Sequence, residues 1–549
     1  MKIAIAQLNY HVGNFQENTT KIIRHIGMAR EKNADLVVFS ELSVCGYPPN
    51  DLLERKEFLD WTQDAVDQIV SQSKGIAVII GAPTINTSQK GKKLHNSAIF
   101  INDGKIEKIV HKTLLPTYDI FDEYRHFEPN QEFEIIHFGE SKIALTVCED
   151  LWDDQPTSNS FAKSKLYMTS PLEELSQLSP DLVINIAASP FSYNQEGDRK
   201  KIMLRNAKEY NLPIIYANQV GAQTELIFDG GSMYINPQGE VEQELAYFEE
   251  DFSVIDLSEK QEIRLQPHCS AIEKIYNALV LGIRDYFRKT GFKTATLGLS
   301  GGIDSALVAV LATEALGAEN IFALLMPSQY SSDHSITDAL DLAENLGIRY
   351  EILSIQDAVD SFERTLSPLF VGFPPDVTEE NIQARTRGIL VMALSNKFGN
   401  ILLNTTNKSE CAVGYGTLYG DMNGGLSVLG DVYKTDVFKL ARYINRDKEI
   451  IPENTILKPP SAELRPDQKD SDSLPEYDIL DQILFRYIEL NLSPDEIIAQ
   501  GFDEKTVRRT ARMVNFNEYK RFQAPPILRI SSKAFGFGRR IPLVAHYEG

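Results

Sequence analysis

Short apolar runs, alternating or uninterrupted, recur along this chain between polar stretches of helical period. KIAIAQL (2–8) alternates with period two, and the stretch at 14–34 places Ile22, Ile26 and Ala29 on one helical face before the strand-like ADLVVFSEL (34–42). Further strand patterns are IAVIIGAP (76–83), NSAIFIN (96–102), KIALTVCED (142–150), DLVINIAAS (181–189) and LPIIYANQ (212–219). GGSMYINPQGEVEQEL (230–245) reads as a hairpin turning at Pro237–Gly239. From Met1 to about Leu257 the pattern therefore predicts an α/β unit with a large mixed sheet.

A charged stretch, FEEDFSVIDLSEKQEIR (248–264), interrupts the alternation and predicts a boundary, giving domains at 1–260 and 261–549. A long helical pattern follows from Cys269 and ends at Gly291. Strand and helix then alternate again: TATLGLS (294–300), a helix over Asp304–Leu316, IFALLMP (321–327), a helix over 335–347, and YEILSI (350–355). Tandem units of this kind predict a doubly wound parallel sheet.

A length of 549 residues calls for more than one hydrophobic core, which agrees with two units. The 55 Lys and Arg against 77 Asp and Glu give a formal net charge of −22, which argues against polyanionic partners such as nucleic acid or an anionic membrane. That average hides two local features. The segment from Pro459 to Asp481 carries seven carboxylates and predicts a solvated, mobile loop. From Lys505 to Tyr547 ten Lys or Arg residues accompany a single acid, Glu518, which needs either a polyanionic or a packing explanation. The start of the chain lacks the apolar core of a signal peptide, and no run approaches the roughly 18 apolar residues of a membrane span. A cytoplasmic protein is expected.

Four cysteines without close spacing offer neither a disulfide framework nor a zinc motif. Cys148 ends a strand pattern immediately before a Glu-Asp pair, at the sheet edge where α/β sites form; alone, it reads rather as a buried apolar residue, and its partners decide. A thiol at neutral pH is only a few per cent thiolate, so catalysis requires a partner base or cation. Glu41 and Lys112 hold comparable strand-end positions, the one suited to take a thiol proton and the other to face an oxyanion.

The texts FSELSVCGYPPNDLL, KTLLPTYDIFDEYRHF and VCEDLW resemble the carbon–nitrogen hydrolase (nitrilase) superfamily over residues 1 to 260. The resemblance implies an αββα sandwich, with Glu41 as general base, Lys112 as transition-state stabiliser and Cys148 as nucleophile. It also implies that Tyr118 and Ser189 hold a glutamine amide. Gln195 departs from the pattern, since related sequences place a lysine there. Glu123 reads as an auxiliary acid or as a surface carboxylate.

GLSGGIDSA (298–306) follows a strand and opens a helix, the context in which glycines and unpaired helix N–H groups cradle phosphate. Asp304 would repel a polyphosphate unless a divalent cation lay between them, so it points to Mg²⁺. GxxxxGK[ST] is absent, which disfavours ordinary γ-phosphoryl transfer. The string resembles the pyrophosphate loop of ATP pyrophosphatases, with their adenine-nucleotide-alpha-hydrolase-like fold. The tract from Glu380 to Tyr443 and KPPSAELRPDQKDSDSLPEYDILD (458–481) are similar to the glutamine-dependent NAD synthetase family.

That resemblance implies that Gly298, Leu299, Ser300, Gly301, Gly302, Ile303, Asp304 and Ser305 hold ATP phosphates and that Thr405 contacts ATP. Asp304 and Glu410 would serve Mg²⁺. Asn381, Glu410 and Lys533 would contact deamido-NAD⁺, with Arg385, Thr417, Asp421 and Lys434 as further carry-overs. By themselves Arg385 and Arg387 read as a solvated helical face, Glu410 and Asp421 as loop carboxylates, and Lys434 as a surface lysine. The implied partners are glutamine, ATP and deamido-NAD⁺, with ammonia passed internally in a homo-oligomer. A tRNA-modifying transferase and a nucleotide sensor with an inert hydrolase fold are the alternatives. Overall acidity weighs against the first, and the intact Glu41, Lys112, Cys148 and Asp304 against the second.

Overall fold

A computed structural model of the chain describes residues 1–153, 166–194, 196–259, 262–466 and 468–547. The chain divides into two compact units, Met1–His268 and Cys269–Gly549. The expected boundary residues 260 and 261, and Gln195, lie outside the described residues.

The first unit contains two six-stranded sheets. In spatial order one runs Asp251–Asp256, Lys2–Gln7, Leu36–Val38, Ala77–Ile85, Leu94–Asn102, Lys105–His111. The other runs Val241–Glu244, Met233–Ile235, Ile214–Asn218, Leu182–Ala187, Ser141–Val147, Ile136–Phe138. Period-two alternation assigns each strand residue a layer. Ile3, Ile5, Leu36 and Val38 pack with Leu145, Val147 and Ile184 between the sheets, whereas Ala4, Ala6, Val37 and Val78 pack outward on Ile22, Ile26, Val66 and Ile69 of the helices Phe15–Glu31 and Lys56–Gln72. Leu172, Leu175, Ile202 and Met203, from two further helices, join the core beside the second sheet. The layering is the αββα sandwich expected, and the hairpin at 233–244 forms as predicted.

The second unit carries a five-stranded parallel sheet in the order Arg349–Ile352, Ile321–Leu325, Ala295–Gly298, Ile401–Asn404, Leu426–Ser427. Connections leave Ala295–Gly298 in opposite directions, so the carboxyl end of that strand is the topological switch point at which open α/β sheets bind ligands. The helix Ile303–Leu316 that follows is apolar on nearly all sides, and residues 305–312 are all buried, as a central helix requires. The helix Ala271–Thr290 starts at a Ser270 cap and ends on Gly291 with φ 82°. Among the described residues no helix is long and apolar enough to cross a membrane.

Two expectations are revised. The acidic segment 459–481 is solvated only in part: Asp470 accepts from Tyr477 Oη at 2.9 Å, Asp481 from the Thr435 amide at 2.9 Å, and Glu463 Oε1 from Ser332 Oγ at 2.9 Å and Ser335 Oγ at 2.7 Å. Asp470 and Asp481 are buried on such donors, whereas Asp472, Glu476 and Asp478 are exposed. Two members of the basic run past Lys505 have a packing explanation. Arg521 is buried, donating to the Cys411 and Ala412 carbonyls and pairing with Glu518; Arg529 is buried on the carbonyls of Ser531 and Ser532.

Candidate functional site

Three strand ends of the first unit meet at one charged cluster. Lys112 follows Lys105–His111, and its Nζ lies 2.8 Å from Glu41 Oε1 and 2.8 Å from Glu123 Oε1. Asn96 Nδ2 donates to Glu41 Oε1 at 2.7 Å, the Ala188 amide to Glu41 Oε2 at 2.9 Å, and Tyr47 Oη to Glu123 Oε1 at 2.9 Å. Glu41 is thus fixed on both oxygens. Glu123 is buried among these partners, which settles it as part of the cluster rather than of the surface.

Cys148 opens a single helical turn after the strand Ser141–Val147 and takes φ 45°, a conformation non-glycine residues adopt at a cost. Asp150 holds that turn. Its Oδ2 accepts from the Val147 amide at 3.0 Å, and its Oδ1 from the Thr113 and Leu114 amides, each at 2.9 Å, so the Cys148 turn is tied to the residues directly after Lys112. Glu149 accepts from Tyr118 Oη and Tyr167 Oη, both at 2.8 Å. Ser189 exchanges backbone bonds with the Asn218 amide, 2.9 Å for its N–H and 3.3 Å for its carbonyl.

Electrostatics follow from burial and sign. Burial alone would neutralise a lone lysine, but Glu123 and Glu41 outweigh it and hold Lys112 well above its usual range. Burial pushes Glu123 up to about 7 against the pull of Lys112. Burial and then the Glu41 charge push the Cys148 thiol well up, with Lys112 opposing them. These surroundings favour the thiol over the thiolate, so a nucleophilic role would call for a base beside the sulfur.

In the second unit a cavity of about 500 Å³ opens at the switch point. Residues 298–305 line it, Gly301 excepted, as do Asn381, Thr405, Glu410, Thr417, Asp421 and Lys434. Gly301 shapes the loop instead: at φ 79°, an added Cβ would stand 2.1 Å from the Ser335 carbonyl oxygen. The first turn of Ile303–Leu316 has no side-chain cap from Gly302, which leaves its N–H groups for an anion. Lys434 Nζ bridges Asp304 and Glu410, at 2.5 and 3.2 Å, and Asn407 Nδ2 donates to Asp304 at 2.9 Å. Burial pushes Glu410 up to about 8 although Lys434 opposes it, and Asp304 and Glu410 outweigh burial to raise Lys434. Lys434 and Glu410 are thus neither surface lysine nor free loop carboxylate.

Two expected residues stand apart. Arg385 is exposed, its Nε on the Leu418 carbonyl, whereas Arg387, two positions on, lines the cavity. Lys533 is not in the cavity lining, and its carbonyl accepts from Lys408.

Family models describe the two units: carbon-nitrogen hydrolase matches residues 2–264 and NAD synthase residues 275–524. A glutamine-dependent NAD(+) synthetase of Synechocystis is 46% identical, over 100% of this chain and 99% of its own. The chain belongs to the glutamine-dependent NAD(+) synthetase family. A family member from Acinetobacter baylyi is 43% identical over 99% of this chain and 98% of its own. Among solved structures, the Acinetobacter baumannii enzyme in complex with adenosine diphosphate is 41% identical, covers 99% of this chain and 98% of its own, and superposes with a TM-score of 0.78. A synthetase from Cytophaga hutchinsonii, 20% identical over 100% of this chain and 98% of its own, shares the fold with a TM-score of 0.83.

Sequence reasoning missed Asn96, Tyr47, Asp150 and Asn218. The one signal available for Asn96 was a polar side chain inside the apolar run NSAIFIN, which a buried strand tolerates only with partners.

Proposed function

We propose that this chain converts ATP, deamido-NAD⁺, glutamine and water into NAD⁺, AMP, pyrophosphate and glutamate, with residues 1–260 as the glutaminase and 261–549 as the synthetase. In the first half-reaction Glu41 takes the Cys148 proton as sulfur attacks the glutamine carboxamide. Lys112 faces the oxygen that gains charge, and Glu41 returns the proton to the departing ammonia. Water, activated by the same carboxylate, then cleaves the thioester. Tyr118 and Ser189 would hold the glutamine; Tyr118 bonds the residue next to Cys148, and Ser189 follows the amide that fixes Glu41.

In the second half-reaction residues 298–305 and the helix start hold the ATP phosphates while the nicotinate carboxylate attacks the α-phosphorus and pyrophosphate leaves. Ammonia then displaces AMP. Thr405 lines the ATP side, and Asn381 with Thr417, whose Oγ1 donates to Asn381 Oδ1 at 2.7 Å, would orient the dinucleotide. Lys533 belongs to the same dinucleotide site in this reading. Asp304 and Glu410 fit Mg²⁺, because they offer hard oxygen donors around one shared positive charge, and the ion would neutralise phosphate charge there. The reading also carries a cytoplasmic homo-oligomer, which light scattering on the purified protein tests.

The observation that supports this reading most is the presence, in one chain, of a buried Glu–Lys–Cys cluster and a cavity lined by a glycine loop and charged side chains. Purified protein given deamido-NAD⁺, ATP and Mg²⁺ should form NAD⁺ with glutamine or with ammonium, and AMP in equal amount. ATP cleavage to ADP, or no NAD⁺ with either nitrogen source, would refute it.

A further inference from the structure

One buried cation in the second unit is not used by the chemistry above. Lys408 is fully buried, and its Nζ lies 2.8 Å from Asp431 Oδ1, 2.8 Å from Glu489 Oε1, 2.9 Å from Ser531 Oγ and 2.9 Å from the Lys533 carbonyl oxygen. Asp431 in turn accepts from the Ile530 and Ser531 amides at 2.8 and 2.7 Å and from Ser531 Oγ at 2.8 Å. Glu489 Oε2 accepts from Ser532 Oγ at 2.9 Å. Ile530, Ser531, Ser532 and Lys533 each thus bond this ammonium or one of its two carboxylates.

The backbone of the same lysine lies between two residues that line the cavity, Thr406 and Glu410. Lys408 begins the helix Lys408–Val413 between Asn407, whose side chain bonds Asp304 and caps the Glu410 amide at 3.0 Å, and Glu410 itself. Its own N–H donates to the Val432 carbonyl at 2.9 Å, two residues before Lys434. A buried charge of this kind carries a desolvation cost and is retained where it fixes a unique arrangement.

We propose that Lys408 is a positioning residue of the synthetase reaction: it locks the segment carrying Lys533 to the turn that carries Asn407, Glu410 and Lys434, so that the dinucleotide site and the phosphate site keep one geometry. This rests on the function proposed above. That function fails if the wild-type protein forms no NAD⁺ from deamido-NAD⁺ and ammonium. The inference fails with wild-type synthesis intact.

The test uses the full chain with Lys408→Met and with Lys408→Met combined with Glu489→Gln, which removes the carboxylate charge stranded by the first change. We expect Lys408→Met to lower the unfolding midpoint and to raise KM for deamido-NAD⁺ about tenfold, with glutamine hydrolysis within about twofold of wild type. The double variant should regain most of the midpoint and keep the raised KM. A wild-type KM in the single variant, or recovery of both midpoint and KM in the double, would overturn the proposal, because Lys408 would then serve only to balance charge. If neither variant is recovered folded, Ser531→Ala, which removes the hydroxyl shared by Lys408 and Asp431 without stranding a charge, carries the same test: a raised KM supports the proposal and an unchanged KM overturns it.

Discussion

Lys112 and Lys434 are both buried lysines that bridge two carboxylates, yet their surroundings differ. Lys112 and Glu41 have no exposed side-chain surface and Glu123 has 6%, with amide and hydroxyl donors completing the shell. Lys434 is as deeply placed, but its partners Asp304 and Glu410 keep 18% and 15% of their side chains open, beside the large cavity. The first arrangement is finished before substrate arrives and suits chemistry on one small amide bond. The second is a half-built charge pattern whose remaining polarity faces the space a polyphosphate would fill. Preorganisation therefore resides in side chains in one unit and in backbone, loop and helix end in the other.

Loss of the nucleophile should separate the two most sharply. Cys148→Ala should reduce glutamine-driven NAD⁺ formation by at least about 10³-fold and leave the ammonium-driven reaction within about twofold. Steady-state assays with each nitrogen source check this; parallel loss of both would break the division. Lys434→Met is the counterpart. Ammonium-driven synthesis should fall about 10²-fold, because Asp304 and Glu410 lose their shared cation, while glutamate release from glutamine persists.

Smaller effects test the backbone. Gly301→Ala forces a side chain onto the Ser335 carbonyl at a positive φ, a strain of about 1–3 kcal/mol. It should lower the unfolding midpoint by a few degrees and synthesis by roughly tenfold, since the loop itself must shift. An unchanged KM for ATP would count against the loop's proposed role. The mildest prediction concerns pH. Glu123, pushed up to about 7, gains a proton as pH falls through that value, and Lys112 then keeps only Glu41 as a charged partner. Glutaminase turnover should decline a few-fold on the acid side of 7, and Glu123→Gln, neutral throughout, should show a lower but flatter profile. The same acid limb in both proteins would remove Glu123 from the account.

What was legible in the chain was what is local. Period-two alternation placed Ile3 and Ile5 opposite Ala4 and Ala6, and the strand–loop–helix text around Gly301 marked the phosphate loop because glycines and strand lie within ten residues. Cys148 was visible as a strand end. Its supporting shell was not, because Asn96 reaches Glu41 across 55 residues, Tyr47 reaches Glu123 across 76, and the Ala188 amide reaches Glu41 across 147. Such partners leave no spacing in the text. Arg385 and Arg387 show the complementary limit: two residues on a helix differ by about 200°, so of two arginines close in the text one is exposed and the other lines the cavity. Acidic and basic runs misled for another reason. Charge counts register sign and not partners, and here Asp470 and Arg529 are buried against neighbours in the chain, Asp481 and Arg521 against segments 46 and 110 residues away.

In the proposed function one chain makes ammonia in its first unit and consumes it in its second. Supplying wild-type protein with ATP, Mg²⁺, deamido-NAD⁺ and glutamine labelled with ¹⁵N at the amide, then measuring the mass of the NAD⁺ carboxamide, tests it directly. The account predicts label in the carboxamide with wild type, and unlabelled NAD⁺ when Cys148→Ala is given the same glutamine together with unlabelled ammonium. Unlabelled NAD⁺ from the wild type, or label incorporated by Cys148→Ala, would contradict it.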